Sequence, residues 1–515
     1  MSRENTLLSA SNGGPKQSPV RSNSSDGEKS ARQRSQTPKV EFETERVELK
    51  KSIKFSGALA ILLGNLGGAS IFIAPTTILS LTGSPGLAVL MWCVGGLVTL
   101  SIAVSVCELA LLLPRAGGPY IYTLQVFGNI PGFIILWGFV IFIGFPSWAL
   151  AAYTGALYML SLVYPDCPPP ESAVKLLAAW LLVGLVALNC TYTSYVTKLQ
   201  GFFTMAKASA MLIIIISALT TVTSDHTQEN LKHFMDNSNT DFGRLCLSVF
   251  AGYFSYGGWQ IITVLMEEVQ NPVKDVPRAL VSAMLIAIFL FVLTNMAFYM
   301  VLTPNEALQS DAIAMTFGRR LHASLPYLLA ILVTLCCIGS VNVVVMGQPR
   351  ILYAAACLGH MPRLFAMLHY KFLTPWPATF TMFLGALYML LSGTVALLIN
   401  YISLYVCIML LVLLLALLHL RYSHPDREQP FKVPIPVLIV QVILTFALIS
   451  VSVYEKPHEL GFCLLILASA IPVYIVFIYW SNKPRAFVHL VDSFTDFIRK
   501  LFLLELPTTY INNHR

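Results

Sequence analysis

Residues 64–72 read GNLGGASIF and residues 253–259 read YFSYGGW, and both stretches lie in long uncharged runs. Glycine pairs weaken a helix because glycine loses the most backbone freedom on folding and leaves the backbone uncovered. Each stretch therefore predicts a break in the middle of a membrane-spanning helix. The glycines could instead only permit close helix packing, an alternative that would be preferred for one stretch alone. Two stretches at corresponding positions favour the breaks.

The rest of the chain is strongly apolar. Its 515 residues are 56% hydrophobic and 11% charged, with a net charge of +7, whereas an ordinary soluble domain is about 25% charged. Residues 1–54 hold 18 of the 59 charges. This composition excludes a soluble enzyme, a nucleic-acid-binding protein and a disordered scaffold. It predicts a polytopic membrane protein whose excess charge comes from Lys and Arg beside the membrane.

The uncharged runs predict twelve membrane spans of about 20 residues each. Their predicted limits are 55–80, 87–112, 131–163, 175–191, 200–222, 244–267, 279–302, 326–355, 377–397, 399–420, 435–454 and 459–481. Lys and Arg are concentrated in the loops on one side, which places both termini in the cytoplasm. We expect a disordered cytoplasmic tail over residues 1–50, a transporter domain over 51–482 and a cytoplasmic C-terminal tail over 483–515.

The two predicted breaks fall in the first and sixth spans, which correspond if five spans are repeated with inverted topology. Paired breaks of this kind indicate a binding site at the membrane midplane of a secondary transporter. The first break would offer backbone N–H groups and a positive half-helix end to a carboxylate. The sixth would offer carbonyls to an ammonium. A zwitterionic amino acid carries both groups on one carbon.

Ionisable residues within the spans are functional candidates. Lys207 lies nine residues beyond Lys198, so it is about 13 Å deeper in the membrane. We predict that its ammonium replaces a coupling sodium ion and tethers the first span to the fifth and eighth. A structural cation bonded to carbonyls is the overlapping alternative. Glu108, one turn from a span end, fits an interfacial role at least as well as a functional one.

Two further groups of residues lie near the sixth break. Glu267 and Glu268 could latch an inner gate through Lys274, Arg278 or Arg115, or could be an ordinary helix end. The aromatic residues could form a lid over the substrate, or could simply belong to an apolar span; they are Phe254, Tyr256 and Trp259.

Of the ten cysteines, only Cys167 falls in a predicted outside loop. It could form an intermolecular disulfide or remain a free thiol. The predicted outside loops contain no Asn-x-Ser/Thr acceptor, which would fit a partner that carries the glycans. We find no CxxC spacing and no nucleophile–base set, so we expect no metal, no cofactor and no enzymatic activity.

Several motifs together make the chain resemble the light subunits of heteromeric amino acid transporters. The nearest group is the L-type branch of the amino acid–polyamine–organocation superfamily, over roughly residues 50–485. The motifs are residues 64–75, GSPGL at 83–87, Glu108-Leu109, AGGPY at 116–120, Cys167-Pro168, Ala206-Lys207, residues 254–259, Glu267-Glu268 with Asn271-Pro272, GSVN at 339–342 and GHMP at 359–362.

This resemblance implies an all-α, LeuT-like fold with a 5+5 inverted repeat. It implies sodium-independent, obligatory exchange of amino acids by alternating access. It also implies that Cys167 bonds a single-pass, glycosylated heavy subunit that carries the pair to the plasma membrane.

The resemblance further implies which backbone groups bind the substrate. The amides near Gly68, Ala69 and Ser70 would hold its carboxylate. The carbonyls of Leu66, Phe254 and Gly257 would hold its ammonium, with Phe254 as the outer gate and Lys207 as the family's fifth-span lysine. The family's usual Gly-Ser-Gly turn is here Gly68-Ala69-Ser70, so one hydroxyl is lost and another is gained.

We expect neutral L-amino acids as substrates, since no acidic group is available to hold a cationic side chain. Plausible selectors of the side chain are Trp259, Gln260 and Val406. The alternatives are exchange of cationic or acidic amino acids, and a sensor or adaptor that binds amino acids without transporting them.

Overall fold

The computed structural model describes residues 54–506 except 69, 114–116, 165–166, 192, 265–268, 311, 394, 424–430, 456 and 481–483. Three expectations therefore lie outside the described residues. They are the N-terminal tail, the contribution of Ala69 to the site, and the latch by Glu267 and Glu268.

Helices dominate the described part of the chain. They are α1 Phe55–Asn65, α2 Ala74–Thr82, α3 Pro85–Leu112, α4 Gly118–Phe127, α5 Asn129–Gly138, α6 Phe145–Leu160, α7 Glu171–Asn189, α8 Thr193–Leu219, α9 Asp225–Lys232, α10 Phe242–Ser255, α11 Ile261–Val264, α12 Pro272–Val301, α13 Pro304–Leu308, α14 Ile313–Leu321, α15 Leu325–Cys357, α16 Trp376–Ser392, α17 Val395–Ser423, α18 Ile435–Glu455, α19 Pro457–Tyr474 and α20 Arg485–Phe502. Tighter 3₁₀ turns occupy Ser70–Phe72 and Arg363–Ala366, and wider π-helical segments occupy Phe139–Gly144 and Ile475–Tyr479.

Eight helical stretches of the described chain are long and apolar enough to cross a membrane. They are Pro85–Leu112, Asn129–Leu160, Glu171–Asn189, Lys198–Leu219, Pro272–Val301, Leu325–Cys357, Tyr401–Ser423 and Leu460–Tyr479. Shorter apolar helices at Phe55–Asn65, Trp376–Ser392 and Ile435–Val451 fall within three other predicted spans. These lengths confirm a helical, multi-pass membrane protein. The number twelve stays a prediction.

The helices end where the sequence predicts breaks. Helix α1 stops at Asn65, and Gly67 and Gly68 then adopt positive φ angles of 73° and 34°. Helix α10 stops at Ser255, and Gly258 adopts a φ of 105° before α11. Residues other than glycine rarely adopt these angles, so the glycines allow the chain to leave the helix. Neither half of a broken span is long enough to count as a span by itself.

The core packs around these two breaks. Helix α12 packs against α1, α3 and α8, and α15 packs against α6 and α8. The rings of Trp92, Tyr256 and Phe291 form a buried cluster next to the sixth break, with Tyr256 and Phe291 stacked 5.1 Å apart. The breaks are thus enclosed by α3, α8, α12 and α15.

The predicted C-terminal tail begins with regular structure. Helix α20 is followed by strand β2 (Leu504–Glu505), which pairs antiparallel with strand β1 (Leu368–His369). The ring of Phe502 meets that of Trp376 at 6.1 Å. The end of α20 is therefore attached to the segment between α15 and α16.

Candidate functional site

The two breaks touch each other through the backbone. The N–H of Gly67 donates to the carbonyl of Gly257 at 2.9 Å. A Cβ at Gly67 would lie 2.1 Å from the Phe291 ring, and a Cβ at Gly258 would lie 2.3 Å from the carbonyl oxygen of Asn65. Only glycine fits at these two positions. The two breaks can therefore touch because each has a glycine, without a side chain, at the point of contact.

Ser70 adds a second link between the breaks. Its hydroxyl lies 2.6 Å from the carbonyl oxygen of Gly67 and 2.9 Å from that of Ser255. Its backbone N–H also donates to Gly67, at 2.9 Å. A hydroxyl has one proton to donate, so these two carbonyls share it. In the state described, Ser70 therefore holds the breaks together and does not present a free donor to a carboxylate.

Gly68 faces helix α15. A Cβ there would lie 3.2 Å from the hydroxyl of Ser340, and its carbonyl accepts a hydrogen bond from the Cys336 thiol at 3.4 Å. No acceptor for the Gly68 N–H is found among the described residues. Gly68 is thus the predicted carboxylate-binding position that has a free donor in this structure.

The carbonyls predicted to hold the ammonium already accept hydrogen bonds. Leu66 accepts from Lys207 and Gly257 from Gly67, whereas Phe254 accepts from the N–H of Gly257 at 3.0 Å and also from that of Tyr256. A carbonyl oxygen has two lone pairs. Leu66 and Gly257 are therefore better placed than Phe254 to accept from a further donor.

Lys207 reaches the end of α1 from α8. Its side chain is 5% exposed, and Nζ lies 3.1 Å from the carbonyl oxygen of Leu63, 3.3 Å from that of Gly64 and 2.7 Å from that of Leu66. These carbonyls lie at the C-terminal end of α1, where the helix dipole places a partial negative charge. The ammonium supplies donors and positive charge to this helix end. This contact ties the first predicted span to the fifth.

The aromatic residues of the sixth break occupy different positions. Tyr256 is fully buried and donates from its hydroxyl to the carbonyl of Trp92 at 3.1 Å, so it belongs to the wall behind the break. Trp259 is also fully buried, and its indole N–H lacks an acceptor among the described residues. Phe254 is partly exposed, as a movable gate requires.

Of the other predicted selectors, Gln260 turns back on the break. Its side-chain oxygen accepts from the N–H of Gly258 at 3.0 Å. Val406 is buried in α17, within the core cluster that includes Trp259. Gln260 therefore stabilises the local backbone in this state.

A buried ion pair lies away from the breaks. Glu108 of α3 and Arg421 of α17 are 1% and 6% exposed, and Arg421 Nε donates to Glu108 Oε1 at 2.8 Å. The N–H of Val433 donates to Oε2 at 2.7 Å. This carboxylate is therefore enclosed by α3, α17 and the backbone before α18, and the interfacial interpretation of Glu108 stays a prediction. An ionisable residue within a span was the available signal, but its partner is 313 residues away.

Two polar contacts join motifs quoted above. Asn342 of the GSVN motif donates to Gln200 of α8 and accepts from Asn189 of α7, both at 2.9 Å. The hydroxyl oxygen of Tyr120 in the AGGPY motif lies 2.7 Å from Nδ1 of His360 in the GHMP motif. Burial lowers the pKa of His360 below its usual value, which keeps that ring neutral near pH 7.

Cys167 lies exposed before α7 and forms no disulfide within the described chain. In the same described residues, His, Cys, Asp and Glu form no cluster of three or more that could hold a metal ion.

Comparison with known proteins gives a consistent family. The sequence model described as amino acid permease matches residues 53–479. The large neutral amino acids transporter small subunit 2 of Mus musculus is 33% identical over 463 residues, which cover 90% of this chain and 87% of that protein. The cystine/glutamate transporter of Homo sapiens is 33% identical over 454 residues, covering 88% and 90%. The Asc-type amino acid transporter 1 of Mus musculus is 31% identical over 466 residues, covering 90% and 88%. These relatives confirm the resemblance to light subunits.

Proposed function

Because this chain belongs to the amino acid permease family, we propose that it exchanges neutral L-amino acids across the plasma membrane, without sodium, by alternating access. The family and its relatives indicate a transporter rather than an enzyme. The observation that carries the proposal is the meeting of two broken helices, where a free Gly68 amide and carbonyls with unused lone pairs lie together.

The substrate is held by its two constant groups. The carboxylate lies at the Gly68 amide and at the positive end of the helical segment that begins with Ser70. Ala69, which follows Gly68 in the sequence, is included in this site on the family resemblance alone. The ammonium lies against the carbonyls of Leu66, Phe254 and Gly257, of which Leu66 and Gly257 each accept one hydrogen bond and have a second lone pair. Because backbone groups bind both the carboxylate and the ammonium, specificity depends on how the protein contacts the side chain of the substrate.

Lys207 explains how exchange proceeds without sodium. Its ammonium already satisfies three carbonyls at the end of α1, where a cation would otherwise be needed. A fixed charge at this place cannot leave with the substrate. This charge removes the need for a sodium ion at the site, and the proposed coupling to a second amino acid moving in the opposite direction rests on the family resemblance.

The architecture that we propose has twelve spans in a LeuT-like 5+5 inverted repeat, with α1–α2 and α10–α11 as its broken helices. Both termini lie in the cytoplasm, which places Cys167 outside the cell. Its exposed thiol forms an intermolecular disulfide with a single-pass glycoprotein heavy subunit. This partner carries the pair to the plasma membrane.

Neutral substrates are favoured because the side chains around the breaks are mostly uncharged. Phe254, Trp259 and Val406 are apolar, and Gln260 is neutral. The alternative of acidic substrates is supported by the human relative named as a cystine/glutamate transporter. The hydroxyl of Ser70, which links the breaks, supports the further alternative of a sensor that binds without transport.

A substrate panel tests the proposal. Radiolabelled leucine, aspartate and arginine are offered in sodium-free buffer to cells lacking endogenous exchangers, with this chain, a heavy subunit, or both. We expect leucine uptake only when both chains are present. Preferential uptake of aspartate or arginine would establish the alternative substrate class. If none of the three amino acids is taken up although both chains are at the cell surface, the result would contradict transport of these substrates.

A further inference from the structure

Helix α20 presents an apolar face that no part of the described chain covers. Leu490, Phe494, Phe497 and Leu501 recur at helical spacing, and each is between 58% and 69% exposed. The opposite face is polar and carries Arg485, His489, Asp492, Asp496, Arg499 and Lys500. This division of one helix into apolar and polar faces is typical of a helix lying in a membrane interface.

Both ends of α20 are held by elements that enter the membrane. Its first residue follows Tyr479, the end of the last apolar span, after five residues that reach about 20 Å at most. Its last residue, Phe502, contacts Trp376 at the start of the apolar helix α16. Strand pairing of Leu504 with His369 reinforces that end. Helix α20 therefore has both ends attached and about 27 Å of helix between the two attachments.

The apolar face of α20 is continuous with the surface that α19 turns toward lipid. The rings of Phe487 in α20 and Phe477 beside α19 lie 6.0 Å apart, and Phe477 is exposed within its span. Tyr479 and Trp480 are also exposed there, and Tyr and Trp favour the membrane–water boundary. On another side of α20, Thr495 is buried and the helix contacts the turn Arg363–Ala366. The protein body therefore leaves the apolar face open.

We propose that α20 lies in the headgroup region of the inner leaflet, with Leu490, Phe494, Phe497 and Leu501 inserted among the acyl chains. The occupant of the face is the lipid surface of the protein's own membrane. The basic residues Arg485, Arg499 and Lys500 lie at the two ends of the helix, where they contact lipid phosphates. Through β2, this insertion fixes the segment between α15 and α16 relative to the bilayer.

Lipid quenching in the full chain tests this proposal. A small fluorescent amino acid is incorporated at position 494 and, as a matched control, at the exposed Asp492 on the opposite, polar face. Both variants are reconstituted in nanodiscs with brominated phosphatidylcholine, and iodide is added to the water. We expect brominated lipid to quench position 494 by about half and position 492 little, with the reverse order for iodide.

Two outcomes would overturn the proposal. Equal iodide quenching at both positions would place α20 in water. Protection of position 494 from both quenchers would mean that a protein, such as a second copy of this chain, covers the face.

Hydrogen exchange on the unsubstituted chain makes the test independent of the probe. We expect the α20 amides to exchange more slowly in nanodiscs than in lipid-free detergent, by roughly tenfold, while α9, which is predicted to lie outside, is unaffected.

Discussion

At the scale of single residues, two side chains connect the breaks to the rest of the protein. Lys207 supplies three hydrogen bonds to carbonyls of α1, and Ser70 joins Gly67 to Ser255. A hydrogen bond to a charged group contributes about 1.5–3 kcal/mol, against about 1 kcal/mol for a neutral one. The lysine is therefore expected to matter more than the serine, although both act on the same turn.

Replacing Lys207 by methionine tests the larger effect. The change keeps a similar volume but leaves three carbonyls at a helix end without their donor. We expect leucine uptake to fall at least about tenfold at equal surface expression. The matched control is Lys198→Met, an exposed lysine of the same helix, which should retain uptake. Uptake of Lys207→Met within twofold of the original would contradict the role given to this charge.

Replacing Ser70 by alanine tests the link between the breaks. Loss of one shared hydroxyl should raise the apparent KM for leucine by roughly fivefold, because the two halves of the site are held less firmly. Ser80→Ala is the control, since its exposed hydroxyl bonds only to Thr77 in its own helix. An unchanged KM would show that the backbone bond from Gly67 to Gly257 suffices.

The sequence alone can single out a residue when the residue is charged and its distance from the end of the span shows how deep it lies. Lys207 could be singled out because its distance from Lys198 places it deep in a span. The bond from Ser70 to Ser255 could not, since it joins residues 185 positions apart and depends on how two helices pack. The same holds for the partner of Glu108.

At the scale of elements, glycine determines where the first and sixth spans stop and how closely they approach. Breaks were predictable because glycine pairs oppose a helix regardless of the tertiary structure. Helix α3 also agrees closely with the predicted 87–112, since its caps lie at Ser84 and at Leu113. Helix α20 was not predicted, because its amphipathic pattern lies beyond the last apolar run and was assigned to a tail.

Gly258→Ala tests the approach of the breaks. Its φ of 105° and the 2.3 Å separation from the Asn65 carbonyl leave no room for a Cβ. We expect little folded protein by size-exclusion chromatography. Gly184→Ala, a helical glycine with open space around it, should fold normally and gain up to about 1 kcal/mol. Equal folded yields for both variants would contradict this packing.

The ion pair between α3 and α17 gives an element-scale stability test. Glu108→Gln leaves Arg421 buried without its counter-charge, which costs about 3–5 kcal/mol. We expect a clear drop in melting temperature that Glu108→Gln with Arg421→Gln partly restores. Glu171→Gln breaks the more exposed pair with Lys175 and should cost about 1 kcal/mol or less. A single variant as stable as the double variant would argue against the buried pair.

At the scale of the whole molecule, the proposed function requires a partner chain bound through Cys167. Cys167 is the exposed cysteine of the described residues, whereas the other nine are buried or half-buried. This distribution suits a thiol that bonds another protein. The family could be recognised from the motifs together, because each contributes a weak but independent signal. The substrate could not be identified, since the backbone groups at the breaks suit any α-amino acid.

Replacing Cys167 by serine tests the covalent assembly. With a co-expressed heavy subunit, we expect the high-mass band on a non-reducing gel to disappear, while Cys246→Ser retains it. Surface expression of Cys167→Ser should fall, or persist only through non-covalent contact. A high-mass band that survives this substitution would place the disulfide elsewhere.

Exchange in proteoliposomes tests whether this chain is a transporter. The purified chain with its heavy subunit is reconstituted into vesicles loaded with unlabelled leucine or with buffer, and labelled leucine is added without sodium. We expect rapid uptake into loaded vesicles and almost none into empty ones. Saturable binding without uptake into either set would contradict exchange and identify a sensor.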